Sequence, residues 1–249
     1  MKSLNIICVI PSRLQSTRLP RKPLLPIQGQ PMIQRVYECA FACDWLTEVI
    51  VATDSNEIAQ VITDLGGHAV LTDTNIPNGS ERVAFVAHSY PDADVVINLQ
   101  GDEPFIKPSM LKTLVQPYLD GERPDMTTLA FPLAKEKYHD PGAVKVLIDQ
   151  NQHAIYFSRA PIPYYRADGT APVYNHMGLY AFRRDFLLHY TTLSQTPLDK
   201  VESLEQLRVI EHGFKIRVQL TTERTLEINT PEEYEAAQHF ISNKVGELW

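Results

Sequence analysis

The sequence is poor in cysteine, with three in 249 residues: Cys8, Cys39 and Cys43. An odd count, with no export segment ahead of it, argues against a disulfide framework and for reduced thiols in a cytoplasmic protein. Cys39 and Cys43 share a helical face, which suits a metal pair. No further cysteine or close histidine pair completes a site, so buried structural thiols are expected. No apolar run approaches the roughly 18 residues of a membrane span. The opening Met1–Leu4 leads straight into an apolar strand rather than a cleavable signal segment, so no membrane insertion is expected. Positive charge is also short, with 23 Lys and Arg against 30 Asp and Glu and a net charge of −7. Such a surface is a poor partner for nucleic acid, which needs a basic face. Repeats and low-complexity tracts are absent.

What is present is enough for a core. Hydrophobic residues make up 44% of the chain, which fits one α/β domain over residues 1–249. Short apolar runs alternate with helical patterns through the first half. Strands are expected at Ile6–Ile10, Val49–Ala52, Ala69–Leu71 and Val95–Leu99. Helices are expected at 31–43, 55–65, 81–87 and 109–119, the second capped by Asp54 or Ser55. This order predicts a mostly parallel, Rossmann-like sheet with helices on both faces. Ligands then belong beyond the carboxyl ends of the strands, on the loops after Ile10, Ala52, Leu71 and Leu99.

The second half reads differently. Val144–Ile148 and Ala154–Phe157 flank Asp149–Gln152 as a hairpin. Residues 161–172 are rich in Pro and Tyr and irregular. A strand is expected at Gly178–Phe182, a helix at 201–212, a strand at Ile216–Leu220 and a closing helix over 232–242. Residues 131–190 are expected to form a small β-rich lobe and a possible dimer contact.

Two segments carry chemistry. The loop Pro11–Leu24 follows the first strand and holds Arg13, Arg18, Arg21 and Lys22, with the hydroxyls of Ser16 and Thr17 among them. Arginine forks and a lysine point charge suit a triphosphate, although charge runs also occur on plain solvated loops. Neither the GxGxxG nor the GxxxxGK[ST] phosphate loop is present here. The second segment, Asn98–Pro104, delivers Asp102 at the carboxyl edge of the sheet. There it would serve as a ligand for Mg2+, which takes a carboxylate or two alongside substrate phosphates, or simply as a turn residue after Gly101.

The ordered set of segments 11–24, Ala52–Asp54, Asn78–Arg82, 99–104, Tyr156–Pro163, His176–Tyr180 and Leu204–Arg208 resembles the 3-deoxy-manno-octulosonate (KDO) cytidylyltransferase family. The likeness runs from Ile6 to about Gln238. It implies a GT-A-like nucleotidyltransferase fold and transfer of CMP from CTP to a 3-deoxy-2-keto sugar acid for lipopolysaccharide or capsule synthesis. Mg2+ as cofactor and a homodimer are implied as well. By the resemblance, Pro11, Ser12 and Arg13 hold the cytidine, and Asn78, Gly79, Ser80 and Arg82 match the loop over the nucleotide. Arg18 and Lys22 meet phosphates. Gln100 matches a position shared by nucleotide and sugar. Arg159, His176, Tyr180, Glu205 and Gln206 match positions around the sugar acid. Asp102 matches a metal ligand.

Three positions depart from the family pattern. Arg21 stands where Gly is usual, Asn175 where a basic residue often precedes the His, and Asn229 where the second metal-binding Asp is expected. Asn229 offers an amide oxygen without charge, and Glu227, two residues away, is a substitute on an extended segment. Three rival functions follow: activation of an amino-KDO or sialic acid, a non-catalytic nucleotide-binding paralogue, and a glycosyltransferase. The last usually carries Asp-x-Asp, which Gly101-Asp102-Glu103 is not.

Overall fold

The computed structural model describes residues 4–16, 18–167 and 171–240. Thr17 of the basic loop and Ser242, the expected end of the closing helix, lie outside the described residues. Residues 1–111 and 225–249 form one compact unit and residues 112–224 a second.

The first unit opens with β1 (Ile6–Ser12) and a two-strand ribbon, β2 (Pro26–Ile27) and β3 (Gln30–Pro31). There follow α1 (Met32–Phe41), β4 (Glu48–Thr53), α2 (Asn56–Asp64), β5 (His68–Leu71), α3 (Gly79–His88) and β6 (Val95–Asn98). Strand β1 lies between β4 and β6, and β5 adds outside β4, all parallel. Every residue of β1 is buried, as a strand covered on both faces requires. Helix α1 turns Met32, Ile33, Val36, Tyr37 and Ala40 inward. Of the two expected caps of α2, Ser55 takes the role, its hydroxyl accepting from the Ile58 N–H. Cys8 and Cys43 are buried, and the Cys39 thiol donates to the Ile106 carbonyl at 3.0 Å. Burial pushes the Cys39 thiol up to about 12.

Helix α4 (Pro108–Leu119) carries the chain into the second unit. That unit contains β7 (Met126–Pro132), β8 (Lys145–Ile148), β9 (Ala154–Ser158), β10 (Tyr174–Arg183), α5 (Arg184–Tyr190), α6 (Pro197–Glu202), α7 (Leu207–Glu211) and β11 (Ile216–Leu220). Strand β7 pairs with β11 in parallel and with β10 antiparallel. Strand β8 runs antiparallel to both β10 and β9. The β8–β9 hairpin turns where expected. Asp149 Oδ1 accepts from the N–H groups of Asn151 and His153, each at 2.8 Å, as an Asx turn does. The last described element, α8 (Pro231–Phe240), belongs to the first unit.

The single helix expected over 201–212 is two short helices. Ser203 takes a left-handed backbone, φ 52°, which ends α6 and releases Leu204–Gln206 as a turn before α7. Strand β7 and helix α5 carried no expectation. Strand β10 is longer than expected and is interrupted by a bulge between Met177 and Tyr180.

Candidate active site

In the first unit, parallel pairing sets Pro11 beside Ala52 and Ser12 beside Thr53, so β1, β4 and β6 end at one edge. A Cβ on Gly101 would lie 3.1 Å from the Pro11 carbonyl, and one on Gly79 would lie 3.4 Å from both Gln100 Oε1 and Pro11. A side chain at Gly101 would be tight against the Pro11 carbonyl, whereas one at Gly79 would make ordinary contact. Pro11, Ser12, Gly79 and Gln100 are brought together. Gln100 donates to Asn98 Oδ1 at 2.9 Å, and Asn98 donates to Ser80 Oγ at 3.2 Å. Asn78 caps α3, accepting from the Glu81 N–H at 2.8 Å and donating back to the Glu81 carboxylate at 3.0 Å.

Arg82 is fully buried. It donates to the Thr72 hydroxyl and lies 3.9 Å from Asp54, yet its Nε and Nη2 have no hydrogen-bond partner among the described residues. Burial and the neighbouring Arg13 lower its pKa. Ser12 Oγ is likewise buried and unpartnered there. Orphaned buried donors are costly unless a ligand satisfies them. Arg13 donates to the Ile76 carbonyl. Asp54 ties the start of the basic loop through the Leu14 N–H at 3.0 Å.

Further along that loop, Arg18 is exposed and has no hydrogen bond among the described residues. Arg21 adopts φ 55°, the left-handed region that suits the Gly expected at this position. Its guanidinium makes an exposed two-pronged contact with Glu57 at 3.1 and 2.5 Å. The Lys22 ammonium donates to Asp102 Oδ2 at 2.6 Å and to Asn229 Oδ1 at 3.1 Å. The Asn229 amide also donates to Glu227 at 2.5 Å. The segment is pinned by the Ile228 N–H on the Asp102 carbonyl at 3.0 Å, and by Glu233, which accepts from the N–H groups of Asn229 and Thr230.

Asp102 pairs with the ammonium, and the carboxylates of Glu103 and Glu227 lie near enough to add negative charge. Burial, then Glu227 and Asp102, raise the Glu103 pKa well above its ordinary value. Burial, then Asp102, raise that of Glu227. A fourth carboxylate at 229 would add to this repulsion, whereas the asparagine amide bonds to Glu227. Asp102 Oδ1 is buried without a partner among the described residues, and Asp102 Oδ2 and Asn229 Oδ1 already converge on a cation. These oxygens fit a hard divalent ion in type and placement. Among the described residues no group of three or more His, Cys, Asp or Glu forms a complete cage. Such an ion would draw its remaining ligands from phosphate and water.

In the second unit, the β10 bulge places a ring cluster over β7. His176 meets Phe157 edge-on at 4.8 Å and Tyr180 at 5.6 Å. A chain of polar contacts threads it. Tyr180 donates to Gln206 Oε1 at 3.2 Å, and the Gln206 amide faces His176 Nδ1 at 3.5 Å. His176 Nε2 meets Thr128 Oγ1 at 2.9 Å, and Thr128 donates to the Leu179 carbonyl at 2.9 Å. The directions agree only if His176 is neutral, with its proton on Nε2. Burial pushes its pKa down to about 3. The Glu205 carbonyl accepts from the Tyr190 hydroxyl at 3.4 Å, and the neighbouring Arg208 is paired with Asp199 at 2.9 Å. Arg159 follows the last residue of β9.

The sequence pattern did not single out Thr128, Glu202, Lys145 or Glu103. Lys145 reads as an ordinary strand residue and Thr128 lies in a stretch with no expectation, and only the fold shows what they touch. Asp54 stood inside a quoted segment, and its position directly after a parallel strand was a usable signal.

A family model described as cytidylyltransferase matches residues 7–216. The chain is 54% identical over 239 residues to a 3-deoxy-manno-octulosonate cytidylyltransferase of Acaryochloris marina, covering 96% of this chain and 98% of that one. It is 45% identical to the protein of the same name from Synechococcus elongatus, over 97% of this chain and 100% of the other. Among solved structures it resembles a CMP:2-keto-3-deoxy-manno-octonic acid synthetase complexed with CTP. The TM-score is 0.91 at 40% identity, covering 96% of this chain and 98% of that one.

Proposed function

The chain belongs to the 3-deoxy-manno-octulosonate cytidylyltransferase family, and from that premise we propose which residues carry the reaction. The enzyme transfers CMP from CTP to the anomeric hydroxyl of KDO and releases pyrophosphate. The product is the activated sugar acid used in lipopolysaccharide synthesis. The hydroxyl oxygen forms a bond to the α-phosphorus, the bond to the β-phosphate oxygen breaks, and the hydroxyl proton is released. Such a transfer needs positioning and charge stabilisation more than covalent help from the protein.

The cytidine is assigned to Pro11, Ser12, Arg13, Asn78, Gly79, Ser80, Arg82 and Gln100. The orphaned donors of Arg82 and the unpartnered Ser12 hydroxyl support this reading, since a nucleotide offers the missing acceptors. Arg18 and Lys22 are assigned to the phosphates, where they offset the charge that builds on the departing pyrophosphate. Asp102 and Asn229 would hold Mg2+, which supplies charge neutralisation of the phosphate oxygens. The sugar acid is assigned to Gln100, Arg159, His176, Tyr180, Glu205 and Gln206, with Arg159 on its carboxylate. His176, with both ring nitrogens engaged by Thr128 and Gln206, is assigned to orienting Gln206 beside the sugar. Magnesium as the metal, a homodimer with residues 131–190 at its contact, and a cytoplasmic site of action complete the proposal. No helix among the described residues is long and apolar enough to cross a membrane.

The observation that best supports the residue assignment is Lys22 held between Asp102 and Asn229, a cation on the two oxygens assigned to the metal. The test is Asp102→Ala. Pyrophosphate release from CTP and KDO is expected to fall about 100- to 1000-fold, as when a transition-state charge stabiliser is removed, with an unchanged circular dichroism spectrum showing that the fold is retained. Turnover within tenfold of the parent would remove Asp102 from the mechanism.

A further inference from the structure

Glu202 ends a six-residue helix, α6. A negative charge at a helix C-terminus faces the negative end of the peptide dipoles and does not favour the helix. Its carboxylate is instead committed to strand β9. It accepts from the Ser158 hydroxyl at 2.6 Å, the Arg159 N–H at 2.9 Å and the Tyr156 hydroxyl at 3.3 Å. Its own carbonyl accepts from Arg159 Nε at 3.0 Å. Burial pushes the carboxyl pKa up, but the donors of Ser158, Arg159 and Tyr156 outweigh burial and hold it below its ordinary value. The other side of Arg159 is fixed as well. Its Nη1 donates to the Pro141 carbonyl at 3.1 Å, and its carbonyl accepts from the buried Lys145 ammonium at 2.7 Å.

The guanidinium thus has Nε and Nη1 taken by main-chain carbonyls, while Nη2 has no partner among the described residues. The Arg159 main chain, from which this side chain springs, is held by the Glu202 carboxylate through the Arg159 N–H. Three and four residues beyond Glu202, after the left-handed Ser203, come Glu205 and Gln206. One side chain therefore joins the end of β9 to the turn that carries two further sugar-assigned residues. We infer that Glu202 is a positioning residue, which aims the Arg159 guanidinium at the carboxylate of the sugar acid. The inference rests on the reading that Arg159 binds that carboxylate.

The test is steady-state kinetics on the full chain, varying KDO and CTP independently, for the parent, Arg159→Ala, Glu202→Ala and the double variant. Arg159→Ala is expected to raise KM for KDO. Glu202→Ala is expected to raise it about 10- to 100-fold, the size of one or two charge-assisted hydrogen bonds. Its kcat and its KM for CTP should stay within about threefold of the parent, and the double variant should be no worse than Arg159→Ala alone. Glu202→Gln keeps the shape and one acceptor oxygen. It is expected to lie between the parent and Glu202→Ala, and it carries the same test if Glu202→Ala does not fold. If Arg159→Ala raises KM for KDO and the Glu202 variants do not, the positioning role is wrong and the Arg159 assignment stands. Additive effects in the double variant, or equal changes in kcat and in KM for CTP, would show Glu202 to be merely structural. An unchanged KM in Arg159→Ala would overturn the Arg159 reading and the inference together.

Discussion

Acid should destabilise this protein through His176 in particular. The imidazole is pushed by burial to about 3, against about 6.5 in an unfolded chain. The folded pKa is the lower one, so below pH 6.5 the unfolded state binds the extra proton. Stability present above pH 6.5 is therefore lost progressively as pH falls toward 3. Between pH 7 and pH 5 the full shift corresponds to about 2 kcal/mol. His176 is only half-buried as a whole residue, and screening by solvent reduces the effect to about 1–2 kcal/mol. The hydrogen-bond chain gives the same sign, because a proton on Nδ1 would face the Gln206 amide donor. The assay is urea unfolding at pH 7 and pH 5 for the parent and His176→Gln, which can still meet both Thr128 and Gln206. The parent should lose about 1–2 kcal/mol more than the variant. Equal losses would refute a neutral, buried His176.

Two further perturbations follow. In Gly67→Ala the new Cβ would lie 2.5 Å from the buried Tyr37 ring and 2.9 Å from Ile62, so thermal unfolding should show a loss of about 1–3 kcal/mol from overpacking; an unchanged midpoint would contradict this packing. Asn229→Asp adds a charged oxygen beside Asp102, and Mn2+ titration by electron paramagnetic resonance should show affinity rising about tenfold with ligand charge. Equal affinity would place the ion elsewhere.

The parallel half of the fold was legible because its strands are continuous apolar runs separated by capped helices, and that pattern is local. The helix over 201–212 was misread because Val201 to His212 keeps helical spacing, and nothing in a serine announces the left-handed turn at 203. Strand β7 escaped because Thr127 and Thr128 break its apolar run, and its partners β10 and β11 are far away in sequence. The basic loop and Asp102 were legible from charge density and from their place after a strand. The Lys22 pairing with Asn229 was not, since 207 positions separate them. Thr128, Lys145 and Glu202 matter through what they touch, and single-residue chemistry does not encode that. The Arg21 departure acquires a physical meaning from φ 55°, because the backbone there is the one that glycine serves.

The most direct test of the account is to incubate the purified chain with CTP, KDO and Mg2+ and follow the products by phosphorus NMR. A CMP-linked KDO and pyrophosphate appearing in equal amounts, with CTP strongly preferred over ATP, GTP and UTP, is the predicted result. No CMP–sugar product, or equal use of all four nucleotides, would contradict it.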